Sequence, residues 1–286
     1  MTTRNEVAND RGESLIEKCT TSVDYLTVTS SGGDSTARLL SSAARLAKRL
    51  SQGGLPVKRW QWKGYDGYQG EGFRYGMRNE EGIVILSGLR ASEDWQEFAV
   101  KARRCTRIDL AVTVTLKEKD TGLASRLYRS GVERNDANLG YVERSIGGST
   151  LYLGSRTSER YGRLYDKGAH LGKEKGKTWR YEVEVKKPKS DYLLNTLLES
   201  DDIYKIATAY VYDFFASRGV VPLFDRGEET YIIESEGRVK DNEKTLHWLR
   251  TCVGRTVANL IEMEGEEVVL KALQLDYLTK KGEVVQ

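Results

Sequence analysis

The sequence predicts an α+β protein: a curved, mostly antiparallel β-sheet with helices packed on one face. Three observations carry this. Residues 56–87 form a meander of short β-prone runs split by glycine-containing turns. Later strands alternate cleanly between polar and apolar residues. Helical apolar spacing falls in a few separate stretches rather than between every pair of strands.

In chain order, residues 1–20 are polar and aperiodic and read as a mobile tail. VDYLTVT (23–29) is a strand, and 30–35 a loop ending in a helix N-cap signal. The helix over 36–51 places Leu39, Leu40, Ala43, Leu46, Ala47 and Leu50 at helical spacing. The meander follows as Pro56–Trp62, Gly72–Arg78 and Gly82–Ser87, then a helix from Ser92 to about Arg103. Cys105–Thr115 is the most strand-like stretch, followed by a helix over Asp120–Arg129 and a polar break at 132–140. Strands at 149–154, 160–166 and 179–187 come next, with the Gly/Lys-rich loop GAHLGKEKGK between the last two. Helices are expected over 190–199, 201–216 and 243–262. Coarsely, two strand–helix–strand halves face each other.

The length of 286 residues suits two domains or one large sheet domain. The reading adopted is one domain over 21–274 between tails at 1–20 and 275–286. Lys and Arg number 45 against 42 Asp and Glu, so the net charge of +3 announces no partner by itself. With 39% apolar and 30% charged residues, the chain is neither collagen-like nor wholly disordered. Three distant cysteines without a CxxC or Cys/His cluster argue against structural zinc and for a reducing cytoplasm. Neither a signal-peptide h-region nor an 18-residue apolar run is visible, so no membrane is expected. Local basic clusters, Arg103/Arg104/Arg107 and Lys186/Lys187/Lys189, read equally as phosphate grips or as exposed strand ends.

Alternation assigns faces. Arg107, Asp109, Ala111 and Thr113 share one side of their strand; Thr150 and Tyr152 share another; so do Tyr161, Arg163, Tyr165 and Lys167, and Arg180, Glu182, Glu184 and Lys186. If these strands are neighbours, one sheet face carries carboxylates, cations and tyrosines. The plain reading is a solvated face with cross-strand ion pairs. The functional reading is phosphoryl transfer. Asp109, Glu182 and Glu184 are hard oxygen donors suited to Mg²⁺ or Mn²⁺; Arg163, Arg180 and Lys167 neutralise phosphate oxygens; a tyrosine attacks.

The strings TRIDLAVTV (106–114), GSTLYLGSRTSERYGRLYDKG (148–168) and WRYEVEVK (179–186) resemble the plasmid and phage replication initiation factor family, the Rep_trans type. VDYLTVT (23–29), GYDGY (64–68) and LHWLR (246–250) fit the same pattern more loosely. The resemblance implies a sequence-specific, metal-dependent nicking–joining enzyme that starts rolling-circle replication, or a conjugative-element relaxase. Such an enzyme forms a 5′-phosphotyrosyl intermediate and leaves a 3′-OH primer. By motif position the nucleophile is Tyr165, with Tyr161 the main rival and Tyr152 third. Asp109 and Glu182, with Glu184, become the Mg²⁺ or Mn²⁺ ligands. Arg163, Lys167 and Arg180 serve the scissile phosphate; Arg107, Arg156, Tyr161 and Lys186 contact DNA. Asp166, Tyr68 and Tyr141 are read as structural, and His247 as packing beside Trp248.

Implied partners are origin DNA, duplex and locally single-stranded, a host helicase and a homodimer mate, all in the cytoplasm of a bacterial host. Trp60, Trp62 or Tyr75 are aromatics on which melted bases could stack. Two departures stand out. Thr113 replaces a second acid, and Ala169–His170 follow YDKG where the family carries Glu. Either one metal ligand is missing or His170 takes its role, and Thr113 keeps alive an alternative, a non-catalytic origin- or operator-binding regulator on the same scaffold.

Overall fold

The computed structural model describes residues 15–134, 138–145, 147–200, 202–227, 257 and 261–272. The chain divides into two compact units, Met1–Ile233 and Glu234–Gln286. The second unit contributes one short described helix, α7 (Glu266–Ala272). The LHWLR segment with His247, the tail at 275–286 and most of the 243–262 helix lie outside the described residues.

The first unit contains strands β1 (Ile16–Ser31), β2 (Lys58–Trp62), β3 (Tyr65–Gly70), β4 (Phe73–Arg78), β5 (Glu81–Ser87), β6 (Arg104–Leu116), β7 (Leu139–Arg144), β8 (Gly148–Leu153), β9 (Arg160–Asp166) and β10 (Thr178–Lys186). Its helices are α1 (Gly33–Gln52), α2 (Leu89–Ala99), α3 (Leu123–Glu133), the single turn α4 (Lys167–His170), α5 (Pro188–Glu199) and α6 (Ile203–Ala216). The strands form one antiparallel sheet in the order β2-β3-β4-β5-β1-β6-β10-β9-β8-β7.

That order is palindromic in construction. β1 leads through α1 into a four-strand meander whose last strand, β5, returns beside β1. β6 leads through α3 into a second meander whose last strand, β10, returns beside β6. The halves meet where β1 pairs with β6, so the coarse two-half symmetry expected from sequence is present. β1 starts at Ile16, which places residues 16–20 in the sheet rather than in the expected tail. β3 and β7 were not expected, because glycines at 64, 67 and 70 and the polar residues before 140 hide their alternation.

One sheet face carries the core. Leu26 and Val28 of β1, Ile108, Leu110, Val112 and Val114 of β6, and Trp179, Tyr181, Val183 and Val185 of β10 are buried there with Leu39, Leu46, Phe98, Leu193, Phe214 and Phe215 of the helices. Period-2 alternation sends their neighbours to the opposite face, hereafter the site face. Gly162 of β9 lets α6 close on the strand, since a Cβ there would lie 2.4 Å from Phe214 Cε1. Gly162→Ala is therefore expected to destabilise the protein by about 1–3 kcal/mol, read as a lower melting temperature. An unchanged melt would mean that the Phe214 ring yields freely.

Candidate active site

Adjacent strands bring the expected residues together. β10 lies between β6 and β9. Its register sets Glu184 opposite both Asp109 and Tyr161, Glu182 opposite Arg163, and Arg180 opposite both Thr113 and Tyr165. β8 adds Thr150 opposite Tyr165 and Tyr152 opposite Arg163. Directly opposed residues share a face, so the polar positions read from sequence do meet on one surface.

The carboxylates are held by guanidinium groups. Arg107 donates from Nε to Asp109 Oδ1 at 2.8 Å and from Nη2 to Asp109 Oδ2 at 2.6 Å. The same Nη2 lies 2.7 Å from Glu184 Oε2. Lys186 also pairs with Glu184, and its Nζ donates to the Arg156 carbonyl at 2.6 Å. Arg163 pairs with Glu182. Arg180 pairs with Asp24 Oδ1 at 2.5 Å and donates from Nε to Thr113 Oγ1 at 3.0 Å. Thr113, standing where a second acid was expected, is thus an acceptor that orients Arg180.

Asp109, Glu182 and Glu184 are all buried. Burial pushes the Asp109 carboxyl up to about 7; Arg107 pulls it down, and the charges of Glu182 and Glu184 push it further up. The donor set is of the oxygen type that Mg²⁺ or Mn²⁺ prefers, and Asp109 and Glu184 are direct register partners. Among the described residues, however, no three His, Cys, Asp or Glu side chains already converge as a cation site. A divalent ion would compete with Arg107 and Arg163 for these oxygens.

Among the tyrosines, Tyr161 is buried, stacked on Tyr152 with ring centroids 6.1 Å apart, and the exposed Arg156 lies over its ring at 5.7 Å. Tyr165 is only partly buried and meets His170 edge-on at 5.8 Å. Burial, then the charge of Glu182, pushes the Tyr165 phenol up to about 12, while Arg180 and Arg163 pull the other way. Lys167 opens α4 instead of continuing β9. Its ammonium is pulled below the ordinary lysine range by burial and then by Arg180. Asp166 is structural as expected: it accepts from Ala169 N at 2.9 Å and Gly176 N at 2.7 Å. Tyr68 stacks on Tyr75, and Tyr141 stacks on Tyr128 and donates to Glu143 at 3.0 Å.

Sequence reasoning missed Asp24, Tyr25 and the His170 contact. The β1–β6 register shifts between Val23 and Tyr25, a bulge that leaves Asp24 outside the pairing and sends it to Arg180. Tyr25 lies under the Arg107 guanidinium, 4.1 Å from the ring centroid. Strict alternation has no signal for a bulge.

The class defined by this fold and face is an antiparallel-sheet α+β protein with a carboxylate–arginine–tyrosine site on the strands at its centre. The chain belongs to the replication initiation factor family, whose model matches residues 103–274, more than half of the sequence. The match includes β6, β8, β9 and β10 and hence most of the site; it leaves out the first meander, so the looser likeness at 23–29 and 64–68 lies outside it. The fold is also similar to that of a rolling circle replication initiator protein from Geobacillus stearothermophilus. The identity is 16%, the coverage 77% of this chain and 90% of that one, and the TM-score 0.50. No curated protein matches the chain. Among the described residues no helix is long and apolar enough to cross a membrane.

Proposed function

We propose that this protein is a nicking–joining enzyme that starts rolling-circle replication by cutting one strand of origin DNA through Tyr165. The observation that carries the reading is the register of β9 on β10. It sets Tyr165 opposite Arg180, and its same-face neighbour Arg163 opposite Glu182. A phenol, two guanidinium groups and a carboxylate cluster then share one surface.

In this reaction Tyr165 Oη attacks the scissile phosphorus. The P–O3′ bond breaks, the phenol proton is lost, and the departing oxygen gains a proton to become the 3′-OH primer. The 5′-phosphate stays on tyrosine, so the bond energy is conserved for resealing. Arg163, Arg180 and Lys167 neutralise the phosphate oxygens as charge develops. Arg107, Arg156 and Lys186 hold the neighbouring backbone. Asp109, Glu182 and Glu184 are the residues that would hold Mg²⁺ or Mn²⁺. Bound there, the ion supplies Lewis-acid neutralisation of the phosphate. Implied partners are duplex origin DNA with a locally melted strand and a host helicase; a second copy of the chain is compatible with this role.

The test is cleavage of supercoiled and single-stranded DNA from the protein's own genetic element, with Mn²⁺, with Mg²⁺ and with EDTA, resolved on denaturing protein gels. A metal-dependent protein–DNA adduct is expected. Tight binding without adduct under any metal would overturn the reading in favour of the DNA-binding regulator.

A pH dependence accompanies it. With the phenol at about 12, nearly all of Tyr165 is protonated at neutral pH. The phenolate fraction then grows about tenfold per pH unit. Single-turnover cleavage is expected to rise from about pH 8 to 9.5, above the range in which Asp109 titrates, with a logarithmic slope near one at fixed metal. A flat profile would show that loss of the phenol proton is not rate-limiting.

A further inference from the structure

The first meander carries a second surface on the same face. Register partners run from Trp60 through Gly67 and Gly76 to Ile83 and then to Thr29 of β1. Tyr65, Ile83 and Ile85 are buried together, with Tyr25 and Trp60 packed against them. Tyr25 in turn lies under Arg107. The aromatic cluster is therefore continuous with the carboxylate–arginine site.

Its outer edge is aromatic, cationic and exposed. Trp60 and Trp62 stack at 6.1 Å, and Trp62 and Tyr65 at 6.5 Å. Trp62 remains 44% exposed. Lys63 Nζ lies 4.5 Å from the Trp62 ring centroid, and the Arg78 guanidinium 4.6 Å from that of Tyr65. Lys63 and Gly64 both hold positive φ, 49° and 81°, as a two-residue hairpin of the I′ type requires. A lysine there holds a backbone conformation that costs a non-glycine residue free energy. Gly76 keeps the floor bare, since a Cβ on it would lie 3.3 Å from the Trp60 ring. Residues 58–78 hold five basic side chains (Lys58, Arg59, Lys63, Arg74, Arg78) against two acidic ones (Asp66, Glu71). On the site face Arg78 also pairs with Glu81, which accepts from the Tyr65 hydroxyl.

We infer that the β2–β4 end of the site face is a stacking platform for single-stranded DNA, with bases on Trp62 and Trp60 and phosphates alongside Lys63, Arg74 and Arg78. Stacked aromatics edged by cations match the two faces of a single strand, flat bases and a charged backbone. The two halves of the duplicated fold thus divide the work. The second half carries the cutting chemistry and the family match; the first, in place of carboxylates, carries the grip on the strand. From β2 to β10 are six strand steps, roughly 30 Å at about 4.8 Å each, a span of several nucleotides. The inference rests on the nicking reading for its substrate, but its test does not need cleavage.

The test is fluorescence polarisation of a short labelled oligothymidine, and of an abasic oligomer of equal length, in EDTA at moderate salt. Trp62→Ala is expected to weaken oligothymidine binding about tenfold, and Trp62→Phe to restore most of it. The abasic oligomer should bind weakly and equally to wild type and Trp62→Ala. Equal oligothymidine affinity for Trp62→Ala and wild type, with matching melts, overturns the platform. So does abasic binding as tight as oligothymidine binding. An adduct formed in the cleavage assay together with either result removes the platform alone. Base-dependent binding without any adduct keeps the platform and removes the chemistry.

Discussion

Tyr165→Phe is expected to abolish the protein–DNA adduct and to slow strand cleavage at least about a thousandfold, whereas Tyr161→Phe keeps most of the wild-type rate. The reason lies in what each ring does. Tyr161 is buried between Tyr152 and Arg156, and phenylalanine preserves that stack. Tyr165 stands opposite Arg180 and Thr150 and feels Arg163, so its hydroxyl is the one beside the two guanidinium groups to which the proposed reaction gives the phosphate. Its ring contact with His170 survives in phenylalanine, which separates loss of chemistry from loss of fold. Gel-resolved adduct formation and initial cleavage rates, beside thermal melts, give the answer. Full adduct in Tyr165→Phe with none in Tyr161→Phe would transfer the nucleophile to Tyr161.

Much of this site was legible because β6, β8, β9 and β10 alternate without interruption. Arg107, Asp109, Arg163, Tyr165, Arg180, Glu182 and Glu184 fall on one side by counting alone. Their adjacency was not legible. It depends on β10 returning between β6 and β9, a long-range pairing that no local pattern encodes. The guanidinium ties were invisible for the same reason: Arg163–Glu182 and Arg107–Glu184 are cross-strand partners far apart in sequence. Asp24 was missed because a bulge breaks the count, and Lys167 was put on the strand because nothing local marks where β9 gives way to a helical turn. Trp60, Trp62 and Tyr65 of the first meander were legible as residues, but their place on the site face needed the whole register from β2 to β1; Tyr75, expected to stack bases with them, stands opposite Val84 and packs on the core face.

Asp109→Asn is expected to cut cleavage about a hundredfold or more while leaving the fold at least as stable as wild type. The carboxylate sits 1% exposed, with Glu182 and Glu184 nearby, and its pKa is raised to about 7. A folded-state value above the unfolded one means that the folded protein binds the proton more tightly. The stability contributed by Asp109 is then fully present at acid pH and is lost as pH rises through about 7. Asparagine has no such titration. In EDTA, the variant should gain of order 1 kcal/mol on wild type at pH 8, a few degrees of melting temperature, and lose that advantage at pH 5. Arg107 keeps Glu184 and the Tyr25 ring as partners in the variant, so it is not stranded. A carboxylate whose presence costs stability but whose removal stops cutting is one retained for chemistry. The opposite result, a variant less stable at pH 8 than wild type, would mark the Arg107–Asp109 pair as a structural clamp and shift the essential carboxylate to Glu182.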